Sequence, residues 1–140
     1  MNNYLLVEDD EIFLFLHEHM IKIFDPTAEV STMKSSLVAV QYLDDLIRNG
    51  EKMPDCILVD LNMPEMNGFQ FLEFCSPHMN GPMQHVHVYM VTSSLYESDR
   101  EKALSYSFIK GFKEKPLSKQ VVDEIAALLK EESGSQSCMD

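Results

Sequence analysis

Positive charge is scarce in this chain: 11 lysines and arginines stand against 23 aspartates and glutamates, a formal charge of −12 over 140 residues. A protein that neutralises phosphates along a nucleic acid needs the opposite balance, so direct DNA or RNA binding is not expected. Cysteine is sparse as well. Cys56, Cys75 and Cys138 form an odd set with no C-x-x-C spacing, which suggests neither a disulfide framework nor a zinc site, only reduced thiols. No apolar run reaches the ~18 residues of a membrane span, and the opening "MNNYLLVEDDE" carries acids where a signal peptide needs a basic start. A soluble, cytoplasmic protein with no membrane partner is expected. Internal repeats and linkers are missing too, and a hydrophobic content of 45% over this length suits one domain with a core.

What is present is an alternation. Tyr4 to Val7, Cys56 to Val59, Val86 to Val91 and a weaker Gly111 to Lys113 have strand length and branched or aromatic residues, and "AEVSTM" fits an edge strand. Between them the spacing predicts helices over Glu11 to Phe24, Leu37 to Arg48 and Gly68 to Cys75. The second has an apolar stripe at Leu37, Val40, Leu43 and Ile47 and the stop signal Asn49-Gly50. Ser98-Asp-Arg-Glu101 has the form of a capping box for a fourth helix through Ala103 and Leu104. Ser118 can cap a fifth, whose apolar Val121, Val122, Ile125, Leu128 and Leu129 keep helical spacing. "ESGSQSCMD" is small and polar, a frayed tail over about 133–140 behind a domain of 1–132. Strand and helix alternating five times predict a parallel sheet with helices on both faces, and the unbroken "ILVD" suits a strand buried on both sides.

In such a sheet, functional groups gather beyond the carboxyl ends of the strands. The first strand ends in Glu8-Asp9-Asp10, the third in Asp60, the fourth in Thr92-Ser93, and the fifth is followed by Lys115-Pro116. Carboxylates held together repel one another unless a cation intervenes, and magnesium suits one or two carboxylates plus a phosphate oxygen. An aspartate can also act as a nucleophile toward phosphorus. Phosphoryl transfer then needs positive charge and donors around the equatorial oxygens: magnesium for one, Lys115 for a second, the Thr92 hydroxyl or a backbone N–H near Asn62 for a third. Pro64 and Gly68 supply the breaks that turn the following loop back toward Asp60. His17, His19, His78, His85 and His87 do not form a ligand set and are expected to be structural or solvent-facing.

"LLVEDDE", "ILVDLNMPEMNG", "VYMVTSS" and "FKEKP", in this order and spacing, resemble the receiver domain of two-component response regulators, over about Tyr4 to Leu129. The resemblance implies a flavodoxin-like, doubly wound α/β fold: a five-stranded parallel sheet of order 2-1-3-4-5 with five helices in three layers. It implies that Asp60 is the phosphoacceptor, that Glu8 and Asp9 are the acidic pair, and that Asp9 binds Mg2+ together with Asp60 and the Asn62 carbonyl. Asp10 lies one place beyond the pair. Thr92 is then the switch hydroxyl, Lys115 the phosphate-pairing lysine held by Pro116, and Phe112 the switch aromatic.

Two positions depart from the family pattern. Glu8 stands where Asp is commoner, which lengthens the reach to a metal-bound water. Phe108-Ile109 replaces the Gly-Ala pair that usually closes the fourth helix, so a left-handed cap is harder to form there.

The resemblance also implies a sensor histidine kinase or histidine phosphotransfer protein as phosphodonor and a downstream protein target, with a homodimer through the fourth helix, fifth strand and fifth helix as a further arrangement. The rival readings are a degenerate receiver that binds partners without phosphate, and an aspartyl-phosphate phosphatase. The phosphatase requires a D-x-D pair whose second aspartate moves a proton, and Asn62 occupies that place.

Overall fold

The computed structural model describes residues 2–94 and 96–139, with side chains described as far as residue 131. The elements alternate as β1 (Asn3–Val7), α1 (Glu11–Phe24), β2 (Glu29–Met33), α2 (Ser36–Arg48), β3 (Cys56–Asp60), α3 (Gly68–Cys75), β4 (His87–Thr92), α4 (Glu97–Leu104), β5 (Ile109–Glu114) and α5 (Lys119–Met139), with a 3-10 turn at Ser76–His78 after α3. The strands form one sheet in the order β2-β1-β3-β4-β5, and every neighbouring pair is parallel.

The period-two alternation of strand side chains divides the core. Leu5, Val7, Ile57, Val59, Val88 and Met90 point to one face, where they meet Ala39, Leu43 and Leu46 of α2, Phe71, Leu72 and Cys75 of α3, and Ala103 of α4. Tyr4, Leu6, Cys56, Leu58, Tyr89 and Val91 point to the other, against Leu14 and Ile21 of α1 and Val122, Ile125 and Leu129 of α5. This is the three-layer, doubly wound arrangement, with β3 and β4 buried along their whole length.

Local signals held in some places and lost in others. Ser118 caps α5 through the Val121 N–H at 3.2 Å, but Leu128, assigned to the stripe of α5, is exposed. The stripe of α2 is also rotated from the expected one: Ser36, Ala39, Leu43 and Leu46 are buried, while Leu37 is exposed. Both helices carry apolar residues on more than one side, so periodicity alone allows either stripe. Packing on the sheet buries Ser36 and Ala39 together with Leu43 and Leu46.

The capping box at Ser98 does not form. The chain enters α4 earlier, at Tyr96, without a side-chain cap. Ser94 accepts from the Tyr96 N–H and donates to Asp99 at 2.6 Å, so the polar loop residues serve each other. The polar tail expected over 133–140 lies outside the residues whose side chains are described, as does Cys138.

Candidate functional site

β1, β3 and β4 end side by side, in a register that sets Val7 opposite Val59 and Asp60 opposite Val91. The residues that follow each apolar run therefore emerge at one rim. Glu8, Asp9 and Asp60 bring carboxylate oxygens within 4.8 Å of one another; Glu8 and Asp60 are buried and Asp9 is exposed. Lys115, which follows β5, reaches into the same place. Its ammonium lies 2.5 Å from Glu8 Oε1 and 3.1 Å from Asp60 Oδ2. The backbone helps to deliver it, because the Lys115 N–H donates to the Thr92 carbonyl at 2.9 Å. The Lys115-Pro116 bond is cis.

Asp60 Oδ1 is buried and makes no hydrogen bond among the described residues. An orphaned carboxylate oxygen beside two further carboxylates is a donor set that fits a hard divalent ion such as magnesium. Electrostatics point the same way. Burial raises the Glu8 carboxyl to about 7, more than its Lys115 contact lowers it, with Asp60 adding to the rise. Burial also raises Asp60, against the pull of Lys115 and the Asn62 backbone. Burial would lower Lys115, yet its contacts with Glu8 and Asp60 hold it above its ordinary value, firmly cationic. One ammonium is thus shared by two buried acids, and both acids are desolvated further than it can offset.

Asp10 has a different task. It is the N-cap of α1, accepting from the Ile12 and Phe13 N–H groups, and its own N–H donates to Glu8 Oε2 at 3.1 Å. Glu8 is thereby held from both sides. Thr92 is fully buried at the end of β4, its Oγ1 accepting from the Ser94 N–H at 3.1 Å. Phe112 is half-buried against the core face that carries α3 and α4. It lines a shallow groove of about 150 Å³ with Ser94, Tyr96, Glu97, Arg100 and Glu114. Asn62 and Pro116 are exposed.

The loop after Asp60 turns back in a way the Pro and Gly signals only half foretold. The left-handed residue is Glu65, at φ 66°, inside a tight turn closed by the Met66 N–H on the Pro64 carbonyl at 2.7 Å. Gly68 is instead the first residue of α3, and its role is close approach. A Cβ there would lie 2.8 Å from the Asp60 carbonyl oxygen and from Leu61 Cα. Asn67 and Gln70 then cap α3 reciprocally. Ser36 adds a tie from α2, donating to Met63 Sδ at 3.2 Å in the buried side of the loop.

Sequence reasoning placed His17 among the structural histidines and missed how near it sits to this site. It is buried, its Nε2 accepts the Leu117 N–H at 3.1 Å, and it lies one turn from Phe13, whose ring carries the Lys115 ammonium at 4.6 Å. Burial and then Lys115 hold the imidazole down, at about 4. The signal available beforehand was the i, i+4 spacing of Phe13 and His17, whose rings are 5.7 Å apart.

A 2-1-3-4-5 parallel sheet with an acid cluster and one lysine at the carboxyl rim is the arrangement of a flavodoxin-like receiver. The model of the response regulator receiver domain matches residues 4–127, and the chain belongs to that family. It is 29% identical over 139 residues to the two-component response regulator ORR26 of Oryza sativa subsp. japonica, an alignment covering 97% of this chain and 23% of that protein. It is also 32% identical over 60 residues to the sensor histidine kinase CheAY of Helicobacter pylori, covering 43% of this chain and 7% of that one. The chain thus spans less than a quarter of the curated relatives it matches. Among solved structures, a two-component response regulator from Cytophaga hutchinsonii superposes with a TM-score of 0.83 at 25% identity, covering 94% of this chain and 98% of that one. A response regulator receiver protein from Dyadobacter fermentans gives 0.77 at 28% identity, covering 92% and 98%.

Proposed function

We propose that this chain is a phosphoacceptor in a two-component phosphorelay: Asp60 takes a phosphoryl group from a phosphohistidine on a sensor histidine kinase or histidine phosphotransfer protein. The observation that carries this reading is the Asp60 carboxylate itself, buried, with one oxygen on Lys115 and the other without a hydrogen bond among the described residues. In the transfer an Asp60 oxygen forms a bond to phosphorus as the P–N bond to the donor imidazole breaks, and the ring nitrogen leaves with the electron pair. Lys115 moves its charge from two carboxylates to a phosphoryl oxygen. The Thr92 hydroxyl accepts from the Ser94 N–H through its oxygen and can donate its hydrogen to a phosphoryl oxygen.

Glu8, Asp9, Asp60 and the Asn62 carbonyl would hold Mg2+, which when bound offsets charge on the carboxylates and on one phosphoryl oxygen. Asn62 cannot move a proton as the second acid of a phosphatase does, so the aspartyl phosphate persists long enough to signal and is lost slowly to water. The protein is a regulator that acts on no other substrate. Its output is a changed surface: Thr92 moves toward the phosphate, Phe112 turns inward, and the face of α4, β5 and α5 meets a downstream protein. Burying the rest of that ring contributes on the order of 1–2 kcal/mol, enough to shift a balanced two-state equilibrium about tenfold.

The test is labelling with a small phosphodonor and magnesium. One base-labile and hydroxylamine-labile phosphoryl group is expected on Asp60, absent in Asp60→Asn and in EDTA. Equal labelling of Asp60→Asn would overturn the assignment, and no labelling of the parent would leave the degenerate receiver.

A further inference from the structure

α4 is the helix least held by the core. Its sequence, ESDREKAL, offers few apolar residues, and Ala103 is the one that is buried. It also ends without the left-handed glycine that the family pattern would place after it. The helix closes on Ser105, in right-handed geometry, with its hydroxyl on the Lys102 carbonyl at 2.6 Å. What keeps such a helix in one position has to come from elsewhere.

Two side-chain contacts reach it from α3. The Tyr106 hydroxyl, at the exit of α4, donates to Glu73 Oε1 at 2.6 Å across 33 residues of sequence. The Lys102 ammonium, in the last turn of α4, lies 4.4 Å from the centre of the Phe69 ring. Glu73 and Phe69 are four apart on α3 and face the same way. Phe108 completes the set, its ring edge-on to Tyr106 at 5.8 Å. These residues belong to the "SYSFIKGF" segment and its surroundings, which the phosphorylation chemistry does not use. Burial and then Glu73 push the Tyr106 phenol up to about 12, so it remains a donor at any physiological pH.

We propose that Tyr106 and Glu73, assisted by Lys102 on Phe69, form a latch that fixes α4 on α3 in the unphosphorylated protein. Tyr106 is a positioning residue for output: the movement linked to Thr92 and Phe112 has to release its hydroxyl from Glu73. A helix with one buried residue is set by polar contacts, which exchange for water at little cost once the neighbouring strand moves. This rests on the phosphoacceptor reading for the releasing signal, but the latch itself exists without phosphate.

The experiment is amide hydrogen exchange over Glu101 to Tyr106 in the full chain, with and without magnesium and beryllofluoride. Without beryllofluoride, Tyr106→Phe and Glu73→Ala are expected to exchange faster there by about two- to fivefold, the scale of one solvent-exposed hydrogen bond, while β1, β3 and α5 are unchanged. Glu73→Gln, which keeps an acceptor oxygen, restores most of the protection, which a merely space-filling role would not produce. With beryllofluoride the parent is expected to approach the rate of Tyr106→Phe, and the variant to change little further. Parent-like exchange in Tyr106→Phe without beryllofluoride overturns the latch, whatever happens at Asp60. A loosened variant combined with a parent that does not respond to bound beryllofluoride overturns the release step. Failure of beryllofluoride to bind at all would instead count against the phosphoacceptor reading, because the variants alone still report on the latch.

Discussion

α3 and α4 are both eight residues long, and each follows a strand that ends in a site residue, Asp60 for one and Thr92 for the other. They are held in opposite ways. α3 buries Gly68, Phe71, Leu72 and Cys75, starts with a reciprocal cap, and seats its first residue against the Asp60 backbone. α4 buries Ala103, has no side-chain cap at its start, and leans on α3 through polar and cation–π contacts. The side of the molecule that would receive the phosphoryl group is therefore over-determined by packing, and the side that would report it is adjustable. A nucleophile gains from a fixed position, and a switch gains from two nearly equal ones.

The largest single-residue effect expected on the rigid side is the stability that His17 withdraws in acid. His17 is neutral when folded, with its value held near 4. The unfolded chain takes up that proton near the ordinary histidine value of about 6.5, so the His17 contribution is intact above that pH and falls as pH drops from 6.5 toward 4, while the raised Glu8 and Asp60 carboxyls act in the opposite sense. The difference is on the order of 3 kcal/mol. The urea midpoint of the parent relative to that of His17→Gln, which can still accept the Leu117 N–H, should fall across this window, because the Glu8 and Asp60 contributions are common to both. Parallel curves would mean that the buried imidazole is not the group responsible.

Gly68→Ala comes next. The new methyl has backbone on two sides and Met90 Cε at 2.9 Å on the third, so α3 or the Asp60 loop has to shift. A cost of about 1–3 kcal/mol in urea denaturation and slower labelling of Asp60 are expected. An unchanged labelling rate would show that the rigid half is less rigid than its packing implies.

Asp9 and Asp10 divide two tasks between neighbours. Asp10→Ala removes the α1 cap and should cost about 1 kcal/mol while leaving most magnesium affinity. Asp9→Ala should leave stability nearly unchanged and weaken magnesium binding strongly, as read by calorimetry. Greater sensitivity of the metal to Asp10 would put the acid register one residue out.

The smallest effect belongs to the adjustable side. Ser105→Ala removes one exposed hydroxyl from the last turn of α4 and is expected to lower the urea-derived stability by about 0.5 kcal/mol or less. A loss comparable to that of Gly68→Ala would erase the contrast between the two helices.

By itself the sequence determined the order of strands and helices, the burial of β3, and which residues stand at strand ends. These depend on local periodicity and on where an apolar run meets its first polar residue. The family motifs carried the strand order and the assignment of Asp60, Thr92 and Lys115, because several separated segments have to agree at once.

Tertiary structure alone decided which stripe of α2 faces inward, since both Leu37 and Ala39 lie on apolar lines and only contact with the sheet distinguishes them. It decided that Glu65 rather than Gly68 takes the left-handed turn, because Gly68 is needed where α3 touches the Asp60 backbone. It joined His17 to Leu117 across 100 residues, and one lysine to two acids at the ends of different strands. Such pairings depend on distances that exist only once the sheet has assembled, and no period within a single segment encodes them.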